Sequence, residues 1–166
     1  MGLRNLLAIV AVCCGVFVDI NGVAAAPSTD LLVTGNVASS KTYTAKDLEQ
    51  FPSKEITVDF PDGVRKYTGA MLRDIVAASS PLEPDKFALR QSYIIAKGTD
   101  EYFTMFTWGE LFLSPAGEDI FVIYRRDGNA LADAEGAFAT IAIRDSRPGP
   151  RYVKWLKSIE LRRLSP

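Results

Sequence analysis

The sequence predicts an α+β domain in which strands dominate. Three observations lead there. Short segments rich in β-branched and aromatic residues recur along the chain, separated by Gly, Pro, Asn and Asp turn signals. Only two stretches and one isolated turn have a helical pattern. The 166 residues are 48% hydrophobic and 23% charged, the balance of one globular domain and not of a disordered or collagen-like chain.

The elements follow in order. Leu31 to Val37 (LLVTGNV) reads as a first strand. Thr44 is a good N-cap for a short helix from Ala45 to Gln50, which Phe51-Pro52 ends. Glu55 to Phe60 (EITVDF) alternates as a strand does, Pro61-Asp62-Gly63 is a turn, and Val64 to Tyr67 is the return strand. Thr68 is positioned to cap a helix from Gly69 to Ala78, with Met71, Leu72, Ile75 and Val76 on one face. Gln91 to Ala96, Glu101 to Phe106 and Asp119 to Arg125 are strands, with a helical turn over Thr107 to Leu113. Asp127-Gly128 is a hairpin turn. Phe138 to Ile143 is a strand, Arg147 to Pro150 an irregular loop, and Val153 to Leu161 a last strand with Val153, Trp155, Ile159 and Leu161 inward.

Residues 1–25 read as a secretory signal peptide. Arg4 precedes an apolar run from Leu6 to Val18, and Val23-Ala24-Ala25 supplies small residues for cleavage after Ala25. The run is short for a membrane-spanning helix. Two alternatives stay open: a retained anchor, and a lipoprotein acylated at Cys13 or Cys14, although Val12 and Cys13 precede those residues where a small one belongs. The expected mature domain, residues 26–166, is periplasmic or secreted. It keeps a net charge of −1 and has no cysteine, so no disulfide and no thiolate ligand to a metal. About 140 residues bury enough surface to fold without disulfides.

Composition also excludes chemistry. There is no histidine, which removes imidazole metal sites and Ser-His or Cys-His catalysis. A net charge of −1 argues against general nucleic-acid binding. Charge is uneven, however. Residues 144–163 hold Arg144, Arg147, Arg151, Lys154, Lys157, Arg162 and Arg163 against Asp145 and Glu160, a balance of +5 that leaves −6 on the rest of the mature chain. Such a stretch can focus an anion or an acidic partner. Arg147 and Arg151 flank Pro148-Gly149-Pro150 and offer guanidinium forks to a phosphate or carboxylate. Tyr152, beside Arg151, is the aromatic best placed to stack on a flat heterocycle. Tyr67, Tyr102, Phe106, Trp108 and Trp155 could add to such a surface, but aromatics of a β-rich domain are more often core, Trp155 above all. Glu110 and Glu118 have no spacing that marks an acid/base pair.

Four segments occur in order: "VTGNV" with "TYTAKDLEQFP"; "YTGAMLRDIVAAS"; "AKGTDEYFTMFTWGEL" with "RRDGNAL" and "EGAFATIAIRD"; and "RPGPRYVKWLKSIEL". Together they resemble the molybdopterin-binding domain of the sulfite oxidase family over nearly all of residues 31–163. The resemblance implies a β-rich fold of that type with a pocket for a pterin bearing a phosphate tail. It places Asp100 and Tyr102 at an Asp-Gly-Tyr-like motif, with Glu101 in place of the glycine, and it suits Asp100 to the amino-pyrimidine edge of the pterin. Enzymes of the family ligate molybdenum with a cysteine at the end of the strand that here reads "ITVDFPDG". This chain has Asp59, Phe60, Pro61 and Asp62 there. A carboxylate is a hard ligand and does not replace a soft sulfur, so Asp59 and Asp62 are expected to bond a pterin edge or water.

Some small members of this fold that lack the cysteine are periplasmic pterin-binding regulators that act through a membrane partner, and this sequence resembles them more than a working oxidase. The first expectation is therefore a pterin-binding module without molybdenum that passes its state to a membrane-bound sensor protein. Its cofactor-binding residues would be Arg147, Arg151, Tyr152, Lys154, Asp100, Tyr102, Asp59 and Asp62, with no catalytic or metal-ligating residue. The alternatives are a molybdopterin-dependent oxidoreductase and a structural or interaction domain without a ligand.

Overall fold

The computed structural model describes residues 26–82, 87–147 and 149–164. The expected signal peptide lies outside the described residues. Ten strands and three short helices are present among them: β1 (Leu31–Gly35), β2 (Lys41–Tyr43), α1 (Ala45–Leu48), β3 (Ser53–Phe60), β4 (Gly63–Met71), α2 (Leu72–Ala78), β5 (Ser92–Gly98), β6 (Phe103–Thr107), α3 (Trp108–Leu113), β7 (Ile120–Arg126), β8 (Asn129–Ala130), β9 (Ala139–Ala142) and β10 (Leu156–Arg163). The α+β, strand-rich class is as the sequence predicts.

The strands form two sheets. One has the order β2-β1-β10-β5-β6, and the other has the order β3-β4-β7-β8 with β9 also on β7. β1 and β10 pair in parallel, so the first and last strands lie side by side. Their approach is close at Gly35, where φ is +96° and a Cβ would lie 2.1 Å from the Leu161 carbonyl oxygen. β7 is buried on both faces. Ile120, Val122 and Tyr124 join Leu31, Ile94, Phe106, Leu111, Ile159 and the α2 side chains in one core. Phe121 and Ile123 face a second core with Ile56, Val58, Phe60, Tyr67, Leu131, Ile141 and Tyr152. That accounts for the unbroken apolar run in β7, where strands with one wet face alternate.

Local chemistry explains most element ends. Thr44 caps α1 in a capping box: the Asp47 N–H donates to Thr44 Oγ1 and the Thr44 N–H donates to Asp47 Oδ2 at 2.8 Å. The expected helix from Gly69 begins only at Leu72, because Gly69, Ala70 and Met71 extend β4 and pair with Ile123, Val122 and Phe121. Glycine is a poor helix former, and here its missing side chain admits the Val122 carbonyl, 2.6 Å from where a Cβ would be. Leu72, Ile75 and Val76 are buried together as expected, but Met71 ends β4 and is buried in the second core, not on the helix face. β2, a three-residue partner of β1, escapes the sequence pattern altogether.

The last strand differs most. It starts at Leu156, not Val153, because Trp155 sits at φ +48° and turns the chain. Leu156, Ile159 and Leu161 point inward, with a bulge between Leu156 and Ser158. Trp155 is half-exposed and not core, and its indole N–H donates to the Asp133 carbonyl at 2.7 Å. Trp155→Ala is therefore expected to cost about 1–2 kcal/mol, well below the ~3–5 kcal/mol of a buried tryptophan. Chemical denaturation followed by circular dichroism measures this, and a loss in the core range would place the indole inside after all.

Candidate functional site

Three structural devices converge on the segment from Asp145 to Trp155. The β3–β4 turn brings Asp59, Phe60, Pro61 and Asp62 to it. The β5–β6 turn brings Asp100 and Tyr102. The loop before β9 brings Glu135. An open groove of about 660 Å³ lies between the first of these and the segment, lined by Asp59, Phe60, Pro61, Ser146 and Arg147. Asp59 and Arg147 are both exposed, and among the described residues Arg147 has no ion-pair partner. The groove thus sets a carboxylate and an unneutralised guanidinium on opposite segments, around an aromatic ring and a proline.

Phe60 forms the floor between this groove and a buried polar cluster. Its ring lies 5.6 Å from that of Tyr152 and 6.4 Å from that of Tyr67, with the Arg65 guanidinium 4.6 Å over it. Arg65 also pairs with Asp62, which holds the turn against β4. Behind Phe60, the Tyr67 hydroxyl donates to Glu135 Oε1 at 2.7 Å and the Tyr152 hydroxyl donates to the same oxygen. Glu135 is 3% exposed. Its second oxygen, Oε2, accepts no hydrogen bond and lies 3.5 Å from Arg126 Nη1. Burial pushes the Glu135 carboxyl up, but the two phenols and Arg126 together outweigh it and hold it below the usual carboxylate range. Burial and then the hydrogen bond to Glu135 push the Tyr152 phenol up; Tyr67 is raised chiefly by burial. Both therefore stay protonated as donors. The cluster holds the buried carboxylate through one oxygen by two phenols, and leaves the other to the charge of Arg126.

Of the expected site residues, Asp59 and Arg147 share the groove. Asp62 is one residue beyond its lining and is taken by Arg65. Tyr152 is buried, not open at the loop edge, so its ring packs on Phe60 and Tyr67; Lys154 Nζ sits 5.4 Å from its centroid. Tyr102 is exposed and its hydroxyl donates to the Pro150 carbonyl at 2.6 Å, which anchors the Arg147–Pro150 loop. Asp100 accepts the Tyr102 N–H and stabilises the turn. Arg151 is committed elsewhere. Its Nε donates to Asp145 Oδ2 at 2.7 Å, its Nη1 to Glu110 at 2.5 Å and its Nη2 to the other Asp145 oxygen, with the Phe106 ring 5.1 Å away. Glu110 is thus taken by Arg151, while Glu118 faces Arg73 at 3.7 Å.

Sequence reasoning missed Glu135 and Arg65, and it offered Tyr67 as a stacking or core ring and not as a buried hydrogen-bond donor. Only the position of Glu135 in a loop between apolar segments could have marked it, and that signal is shared by many surface carboxylates. Glu101 is explained instead by its backbone. It takes the left-handed φ of +67° that suits glycine, and it is tied to Lys97 and, at 2.6 Å, Lys157. Hydrogen bonds from Lys157 and Lys97 hold its carboxyl down at about 2. Its ion pairs contribute stability above about 4.5 and lose it as pH falls towards about 2. Glu101→Gly relieves the backbone and loses only screened surface pairs, so it is expected to raise the melting temperature in ~1 M salt. A lower melting temperature at that salt would contradict this.

No family model matches the chain, and no curated protein matches it. Among solved structures, the fold is similar to that of the sulfane dehydrogenase SoxCD from Paracoccus pantotrophus, with a TM-score of 0.62 at 16% identity. The likeness covers 80% of this chain and 37% of that one, so the chain spans little more than a third of its neighbour's length. The two share a fold. At that identity nothing finer passes from one to the other.

The groove can be tested against molybdenum on its own donor set. The end of β3 offers the hard carboxylate of Asp59 and the Phe60 ring, and the chain's cysteines are only Cys13 and Cys14, far away in sequence. Phe60 presents carbon there and packs on the rings of Tyr67 and Tyr152. A metal that requires a soft thiolate does not fit these residues.

Proposed function

We propose that this protein is an exported binding module for a pterin-type heterocycle with an anionic tail, working without bond chemistry through a membrane-bound sensor protein. The observation that carries the reading is the placement of Asp59 and Arg147, unpaired among the described residues, in the lining of one groove. A carboxylate accepts the two parallel N–H donors of an amino-pyrimidine edge, and a guanidinium takes a phosphate or carboxylate tail. Tyr102, through Pro150, fixes the loop that carries Arg147.

The test is a fluorescence titration with 6-carboxypterin. Arg147→Ala is expected to weaken binding about tenfold with an unchanged melting temperature, because its side chain is exposed and unpaired. Equal binding by the variant, or none by the natural chain at ~1 mM, would remove the groove from consideration.

The alternative is a molybdopterin-dependent oxidoreductase, favoured by the activity in the name of the structural neighbour. Stoichiometric molybdenum in protein purified from its native host would reverse the ranking.

A further inference from the structure

We infer that β6 is a self-pairing edge, through which two copies of this chain join their five-stranded sheets into one continuous sheet. Edge strands expose unpaired backbone N–H and C=O groups, and proteins guard them with charge, proline or brevity. The other edges are guarded. β3 carries Lys54, Glu55 and Asp59, β2 has three residues including Lys41, and β8 has two. β9 is wholly buried and bridges to Val153. β6 has none of these features. It is five residues long, Phe-Thr-Met-Phe-Thr, without charge, proline or bulge, and among the described residues no strand pairs with its outer side.

The side chains agree. Four of the nine exposed large hydrophobic residues among those described, Tyr102, Phe103, Met105 and Leu113, come from the stretch 102–113. Phe103 and Met105 are 54% and 55% exposed and lie on one face, beside Ile95 of β5.

An identical strand fits this edge for reasons of charge and register. Antiparallel pairing about Met105 sets Phe103 of each copy opposite Thr107 of the other, an aromatic against a β-branched residue, and brings no like charges together. The cations beside the strand are engaged within the same chain: Glu101 is shared by Lys97 and Lys157, and Arg151, over the Phe106 ring, is held by Glu110 and Asp145. A formal charge of −1 leaves two copies with little mutual repulsion.

Sedimentation equilibrium on protein expressed from the full coding sequence is the test, with amide hydrogen exchange at low and high concentration. The natural chain is expected to dimerise below about 100 μM, with Phe103–Thr107 amides gaining protection as it does. Met105→Lys and Phe103→Lys each place a charge on an exposed position and are expected to weaken the dimer more than tenfold without lowering the melting temperature at ~1 μM, where the natural chain is monomeric as well. Leu113→Lys, equally exposed but outside β6, is expected to dimerise normally. A monomer at all concentrations, a dimer protected elsewhere, or equal loss in the Leu113 variant would each overturn the inference.

Discussion

Glu135→Ala is expected to lower the unfolding free energy by about 3 kcal/mol. The carboxylate is the acceptor for two buried phenols and the neighbour of Arg126. With alanine there, Tyr67 and Tyr152 have only each other, at 3.2 Å, as acceptor, so one of the two hydroxyls donates to nothing. A buried donor left unsatisfied costs roughly 1–3 kcal/mol, and the cavity and the stranded guanidinium add to it. Glu135→Gln separates shape from charge. It keeps an oxygen acceptor for one phenol and is expected to cost only about 1 kcal/mol. The pH dependence has a definite sign. Because the folded carboxyl titrates below its unfolded value, the unfolded chain binds the extra proton, and stability rises with pH through that window. The advantage of glutamate over glutamine is therefore complete above the ordinary carboxylate range and disappears as pH falls through the folded value. Denaturant melts of both variants from neutral to acidic pH measure it. A Glu-to-Gln difference that stays constant on acidification would mean that the charge contributes nothing.

The same cluster shows how far the sequence could be read. Alternation and turn signals carry local geometry, so β3, β5, β7 and the Asp62-Gly63 and Asp127-Gly128 turns are legible within two residues or so of their ends. What fails is whatever depends on a distant partner. Gly69 looks like the first turn of a helix until β7 pairs with it. Trp155 looks inward until its backbone turns to φ +48°, held by its N–H on the Glu135 carbonyl and its own carbonyl on the Thr99 N–H. Both halves of that anchor are long-range, and no local pattern contains them. The groove was half legible. Asp59 and Arg147 are exposed and polar, as their turn and loop contexts suggest. Tyr152 and Arg151 are adjacent in the chain, yet the fold gives them opposite duties. One is turned inward to Glu135 and the other is gripped by two carboxylates.

Arg151→Ala provides the second large effect, about 2 kcal/mol of lost stability. The guanidinium joins three parts of the fold: Asp145 after β9, Glu110 on α3, and the Phe106 ring in the core. Its bidentate grip on Asp145 fixes both groups in one geometry, the arrangement in which an ion pair is strongest. The side chains are only about a quarter exposed, so water screens them incompletely. Removing the cation leaves Glu110 and Asp145 half-buried and facing the same vacated space, which costs more than the pair itself was worth. The ~3–5 kcal/mol typical of breaking a fully buried pair is reduced here because some solvent reaches it. A double-mutant cycle separates the two contributions. Asp145→Ala in the Arg151→Ala background is expected to restore part of the loss, with a coupling of about 1–2 kcal/mol. Ligand titration of the same variants then distinguishes scaffold from site. A structural clamp predicts an Arg151→Ala protein that melts lower yet binds 6-carboxypterin with nearly the natural affinity when still folded. If that variant melts normally and loses binding, Arg151 leaves its carboxylates for the ligand and belongs with Arg147 in the groove.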